Sequence, residues 1–175
     1  MKLITKTNRV LKYILFILLL ILVLNMIASF FTMNFSNSYP VGIYFIKKVA
    51  NIERDKYYIF CPKYDEKMEY AEVNGFWRGI NKSCGKTPKY LKKALGMPQD
   101  KVIVTDAGVT INGKKIPNTH KVLKDKIFVN ENKILQENEY YMLSDYNVYS
   151  YDSRYFGSIN KNQIIGEAIP IITIK

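Results

Sequence analysis

Between Tyr13 and Thr32 the chain reads YILFILLLILVLNMIASFFT, about 20 residues without a charge. At 1.5 Å of helix rise per residue, a run of that length matches the roughly 30 Å hydrocarbon core of a bilayer. Lys2, Lys6, Arg9 and Lys12 precede it with no acidic residue among them. The positive-inside bias therefore keeps the N-terminus in the cytoplasm and sends everything after Thr32 across. A cleaved secretory signal would carry an apolar region of about 7–15 residues ending in an Ala-x-Ala-like site. This run is longer, and Ala28-Ser29-Phe30 is a poor site. The expected organisation is a basic cytoplasmic stretch over 1–12, a single uncleaved anchor over 13–32 in the cytoplasmic (inner) membrane, and one extracytoplasmic domain over 33–175.

The rest of the composition suits one packed domain. Hydrophobic residues are 48% and aromatics 14%, with 14 Tyr, too apolar for a disordered chain. Of 26 basic residues four precede the anchor, leaving 22 against 15 acidic ones beyond it. A basic domain beside a bilayer suits anionic lipid headgroups. The lysines are scattered and no nucleic-acid motif accompanies them, so nucleic acid is not an expected partner. Cys61 and Cys84 are the two cysteines. An even count in an oxidising compartment favours a disulfide. Closing a loop of about 24 residues contributes roughly 3 kcal/mol by chain-entropy reasoning.

After Pro40 the pattern is short β-runs. Gly42–Ile46, Lys56–Cys61, Lys101–Val104, Gly108–Ile111, Lys126–Val129, Glu139–Leu143 and Ala168–Ile174 are rich in β-branched and aromatic residues. Asn112-Gly113 between Ile111 and Ile116 is a strong hairpin-turn signal. No long amphipathic helix follows the anchor, and residues 62–89 are the least regular part. The fold class expected is mainly β: one N-terminal transmembrane helix followed by an antiparallel β-domain.

Few side chains are available for chemistry. The single histidine, His120, follows the turn-like Pro117-Asn118 with no nucleophile elbow nearby, so it reads as a surface-loop residue and not a triad member. Two cysteines and one histidine without finger spacing give no metal site. Gly85-Lys86-Thr87 resembles the end of a phosphate loop, but Ile80 stands where the first glycine is needed and Pro88 follows. No cofactor is expected. Serine with lysine remains. A lysine takes a serine proton only when neutral, and its free pKa near 10.4 forbids that at neutral pH. Burial against apolar groups penalises the ammonium and lowers the pKa. Tyr90-Leu91-Lys92-Lys93-Ala94-Leu95-Gly96 offers such an apolar strand, with Lys92 and Lys93 on opposite faces. Alternation alone does not choose between them, and both also read as surface lysines on an edge strand.

Three segments together resemble the type I signal peptidase family (peptidase family S26), in particular its conjugative-transfer TraF-type branch. Ser38-Tyr39-Pro40-Val41-Gly42-Ile43-Tyr44 is similar to the S-x-P-x-G-[IL]-Y nucleophile box of that branch. Tyr90–Pro98 is similar to the Y-[IV]-K-R-x-[VI]-G-L-P box, whose first basic residue is the general base. Ser144–Gly157 is similar to G-D-N-x-x-x-S-x-D-S-R-x-[WYF]-G. Three departures stand out: Ser144 for glycine, Tyr146 for asparagine, and Gln99 for the glycine before Asp100.

The resemblance implies a serine endopeptidase that removes signal peptides. It gives the nucleophile to Ser38, the base to Lys92 and not Lys93, and a lysine-orienting hydroxyl to Ser150. Asp145, Asp152 and Arg154 become structural support, the last two as an ion pair. Ser36, two residues before the nucleophile, is a candidate oxyanion donor beside the Ser38 backbone N–H. Cys61 and Cys84 match a pair seen in the branch. The partners implied are a signal-peptide-bearing preprotein, a prepilin of a conjugative or type IV secretion system by analogy with the branch, and the bilayer. Two other classes fit parts of the chain: a non-catalytic, membrane-anchored pilus or secretion assembly protein on the same fold, and a repressor-type autopeptidase. The apolar N-terminal run argues against the latter.

Overall fold

A computed structural model of the chain describes residues 2–77, 83–122 and 129–174, with side chains from Arg9 onward. It divides into two units, 1–32 and 33–175. The first is built on helix α1 (Lys2–Ala28), whose stretch Arg9–Ala28 is long and apolar enough to cross a membrane. Large apolar side chains along α1, from Val10 to Ile27, are exposed. A helix apolar all round, with no core of its own to enter, suits a lipid solvent.

The second unit is antiparallel β, as the residue pattern predicts. Its strands are β1 (Phe31–Asn34), β2 (Val41–Lys47), β3 (Tyr57–Phe60), β4 (Tyr90–Gly96), β5 (Lys101–Thr105), β6 (Gly108–Ile111), β7 (Lys114–Lys115), β8 (Glu131–Ile134), β9 (Glu139–Leu143), β10 (Ile159–Asn160) and β11 (Ile164–Ile174). Seven form one sheet in the order β1-β2-β11-β3-β4-β9-β10, and four form a second in the order β7-β6-β5-β8. Asn112 and Gly113 close the β6–β7 hairpin with φ of 50° and 80°, the doubly left-handed turn that an Asn-Gly pair favours. Most of the strand expected over Lys126–Val129 lies outside the described residues.

Three packed clusters make the core. Tyr58, Phe60, Ala94, Tyr140 and Met142 meet the short helices α2 (Glu66–Val73) and α3 (Ser153–Phe156) on one face of the large sheet. Leu95, Val102, Val104, Val109, Ile111 and Leu143 join the two sheets. Tyr39, Tyr44, Ile46, Ile59, Leu91 and Ala168 fill the third. Helix α2 lies in the segment that the β-pattern leaves irregular. Its start is local chemistry: Asp65 caps the backbone N–H groups of Lys67 and Met68 at 3.1 Å each. Cys61 and Cys84 form a disulfide that ties the end of β3 to the approach of β4.

The glycine of the nucleophile box has a steric reason. A Cβ at Gly42 would collide with the carbonyl oxygen of Ile172, where β2 and β11 run closest. Gln99, the non-glycine in the turn after β4, has φ 69° and is exposed. A side chain in the left-handed region costs about 1 kcal/mol, partly offset by the chain entropy a glycine would lose. Gln99→Gly is expected to raise stability by up to about 0.5 kcal/mol, a gain of about one or two degrees in a thermal melt. An unchanged or lower melting point would show that Gln99 is not strained.

Candidate active site

The segment between β1 and β2 is folded around Asn34, which is 8% exposed. Its amide nitrogen donates to the carbonyls of Ser36, Tyr39 and Pro40 at 3.0–3.1 Å. Its Oδ1 accepts from the backbone N–H and the hydroxyl of Ser36 at 3.1 and 2.8 Å. This Asx turn leaves Ser36 exposed and draws Ser38 inward to 9% exposure.

Strand β4 then separates its two lysines. Lys92 is paired with Tyr58 across the sheet and is 2% exposed on the face of the aromatic cluster. Its Nζ lies 5.6 Å from the Tyr90 ring centre. Burial pulls its pKa down to about 8, the nearby Asp152 charge opposing the shift and Arg154 adding to it. Lys93 points to the other face, where its Nζ meets Asp145 Oδ2 at 2.9 Å and lies over the Tyr39 and Tyr57 rings. Among the described residues Lys92 has no carboxylate within ion-pair distance, whereas Lys93 is clamped to Asp145.

Register brings Lys92 to the nucleophile segment. β4 pairs with β9 through Lys93↔Leu143 and Ala94↔Met142. Ser144 directly follows Leu143, the β9 residue paired with Lys93, where the ladder ends. The Ser144 hydroxyl donates to the Ser38 carbonyl at 2.6 Å, and its N–H donates to Asp152 Oδ2 at 3.0 Å. Asp152 and Arg154 form the expected ion pair, 2.8 Å apart and both wholly buried. Arg154 also donates to the carbonyls of Asn118, His120, Val148 and Ser150, gathering two loops around the site. His120 itself is exposed, with only its carbonyl used.

Within the second unit, hydrogen bonds link the first and last boxes of the sequence, and strand pairing links the second to the last. A family model described as "Signal peptidase, peptidase S26" matches residues 6–173. The chain belongs to that signal peptidase family. Two curated proteins named "Plasmid transfer protein TraF", both from Escherichia coli, are each 32% identical over 146 residues, covering 80% of this chain and 81% of the relative. A "Probable signal peptidase I-2" from Synechocystis is 28% identical over 79 residues, 45% of this chain and 36% of the relative. Among solved structures, a signal peptidase I from Enterococcus faecalis V583 aligns over 70% of this chain and 97% of its own, with 20% identity and a TM-score of 0.37. Family membership supports a peptidase of the serine kind and implies a signal-peptide-bearing substrate, and the N-terminal helix is long and apolar enough to cross a membrane.

Within this signal peptidase frame, the residues that the motifs single out are linked indirectly, Ser38 through Ser144 and Asp152 to Arg154 and Ser150. Among the described residues no hydrogen bond joins Ser38 Oγ to Lys92 Nζ. Ser150 is 2% exposed, and its Oγ is a buried hydroxyl without a hydrogen-bond partner. Catalytic hydrogen bonds in substrate-free peptidases are often long and tighten when substrate binds. The Ser36 hydroxyl is turned to Asn34 and not toward Ser38. Asn34 and Tyr39 are the organising residues that the motif reading passed over. Asn34 had a local signal, an Asn two residues before a serine. Tyr39 had none, because its phenol acts through distant partners, the Leu143 carbonyl at 2.9 Å and Asp145 Oδ1 at 3.0 Å.

Proposed function

We propose that the chain is a single-pass, membrane-anchored serine endopeptidase that cleaves signal peptides on the extracytoplasmic side, with Ser38 as nucleophile and Lys92 as general base. The burial of Lys92, with its pKa lowered to about 8, carries the reading. An amine in that range is neutral in a useful fraction near neutral pH. Lys92 takes the Ser38 hydroxyl proton as Oγ attacks the scissile carbonyl, then gives it to the leaving amine; water afterwards releases the acyl group. The Ser38 backbone N–H faces the developing oxyanion, helped by Ser36 once its hydroxyl leaves Asn34. Ser150 steadies the lysine amine through its otherwise unpartnered hydroxyl. Asp145, Asp152 and Arg154 hold the geometry without joining the chemistry.

The likeness to plasmid transfer proteins supports a prepilin of a conjugation apparatus as the substrate. Signal peptides end their apolar segment near the membrane surface, and Ser38 follows the anchor by only a few residues. A tethered nucleophile meets such a site at high effective concentration.

Mass spectrometry of products from detergent-solubilised protein mixed with signal-peptide and prepilin substrates tests the reading. Wild type is expected to cut after a small residue. Ser38→Ala and Lys92→Ala should lose cleavage, Lys93→Ala should keep it within about tenfold given its partly exposed ion pair, and Ser36→Ala should lose about 100-fold or more in kcat. Cutting that survives Ser38→Ala would sink the mechanism. A Ser38→Ala chain that restores full function in cells would support the non-catalytic assembly protein instead.

A further inference from the structure

We infer that Ser144 is the positioning residue for the Ser38 nucleophile: its hydroxyl anchors the Ser38 carbonyl on the turn after β9, so that Oγ is presented on the Lys92 side of the sheet. The inference rests on the assignment of Ser38 and Lys92 made above. It deepens that assignment by naming what fixes the nucleophile.

Three successive residues of the nucleophile segment are held by this one turn. The Asn37 carbonyl accepts from Asn147 Nδ2 at 3.0 Å. The Ser38 carbonyl accepts from Ser144 Oγ at 2.6 Å. The Tyr39 phenol donates to the Leu143 carbonyl and to Asp145 Oδ1. Ser144 is the central contact and is fully buried. Its Oγ also accepts from the backbone N–H groups of Tyr146 and Asn147 at 3.3 and 3.1 Å, which aims the hydroxyl proton away from its own turn and at Ser38. Its N–H is tied to Asp152, so the anchor itself does not drift.

The residue that follows the β9 partner of Lys93 thus binds the backbone of Ser38, and one side chain ties the Ser38 segment to the end of β9 beside the Lys92 strand. A glycine here, as in the family box that this chain departs from, has no hydroxyl to make that bond. Misplacing a reacting atom by about 1 Å costs on the order of 100-fold in rate.

The experiment compares wild type, Ser144→Ala and Asn147→Ala as full-length protein in detergent micelles. The probe is a fluorogenic peptide carrying an apolar segment followed by Ala-x-Ala, read for kcat and KM separately. Hydrogen–deuterium exchange over residues 36–40 is measured in parallel. Ser144→Ala is expected to lower kcat about 10- to 100-fold with KM within about twofold, and to speed exchange over 36–40. Asn147→Ala, which frees the neighbouring carbonyl but leaves Ser38 held, is expected to lower kcat less than about fivefold.

Wild-type kcat in Ser144→Ala, or unchanged exchange over 36–40, overturns the inference. Equal losses in both variants overturn it too, because they assign the effect to the turn and not to the Ser144 bond. If wild type does not cut the probe, the peptidase reading fails for that substrate class and the exchange comparison alone decides the positioning. Should alanine at 144 unfold the domain, Ser144→Cys, of nearly the same shape with a much weaker donor, takes its place.

Discussion

Lys92→Met is expected to abolish cleavage and, in the same molecule, to make the domain more stable at neutral pH. The two effects have one cause. Lys92 is fully enclosed, and burial lowers its pKa from 10.5 to about 8. Below pH 8 the folded protein therefore carries a buried ammonium, held less well than in the unfolded chain. A displacement of that size is worth about 3 kcal/mol against folding. The penalty is fully present below about pH 8, and fades as pH rises toward 10.5, where the lysine is neutral in both states. Methionine fills a similar volume against Tyr90 and Tyr58 and carries no such penalty. Urea unfolding of the two proteins at pH 7 and pH 10 checks this. The variant should be ahead by a few kcal/mol at pH 7 and by much less at pH 10. Cleavage by the wild type should rise over the same range, with a midpoint near pH 8. A variant less stable than wild type at pH 7, or a gap independent of pH, would mean that Lys92 is better solvated than its burial indicates.

The second large effect is structural. Arg154→Ala is expected to cost about 3–5 kcal/mol, the usual consequence of leaving one member of a wholly buried ion pair behind. Asp152 would be left at zero exposure without its partner, and the Asn118, Val148 and Ser150 carbonyls would lose the Arg154 donor. Arg154→Lys should recover little, because a single ammonium cannot reproduce a fork that reaches two carboxylate oxygens and several carbonyls. Thermal melts of both variants should fall by about 10 °C or more for a domain of this size. Residual activity should fall further than stability explains. An unpaired Asp152 would favour the charged form of Lys92, since Asp152 already raises its pKa and Arg154 lowers it. A melt within a few degrees of wild type would overturn the account of this pair.

Much of this was legible in the sequence, for physical reasons that differ from element to element. The apolar helix and the strands at 41–47, 57–60, 101–105, 108–111 and 139–143 announce themselves by length and β-rich composition. Asn112-Gly113 dictates its own turn. Helix α2 did not stand out, since eight residues with two buried positions carry too weak a period, although its Asp65 cap was in view. The choice between Lys92 and Lys93 was not legible from alternation. It depends on which face of β4 receives the aromatic cluster, and long-range pairing decides that. The departures Ser144 and Gln99 could be seen as departures only. That one makes a hydrogen bond to the Ser38 carbonyl and the other sits at positive φ is a property of the assembled loops.

The strand order has a consequence for how such a chain comes into being. β2, which leads out of the Ser38 segment, touches the rest of the large sheet beyond β1 only through β11, and β11 alone joins it to β3 and so to the Lys92 strand. The piece that closes this gap, β11 (Ile164–Ile174), follows both of its neighbours by more than a hundred residues. During synthesis β2, β3 and β4 emerge before β11, so the segments carrying Ser38 and Lys92 precede the strand that bridges them. Pairing across more than a hundred residues is also slow, because loop-closure entropy must be met before the contacts repay it. In the large sheet the Ser38 segment and the Lys92 strand are thus brought into one surface by pairing that is distant in sequence, and β11 is the bridge between them.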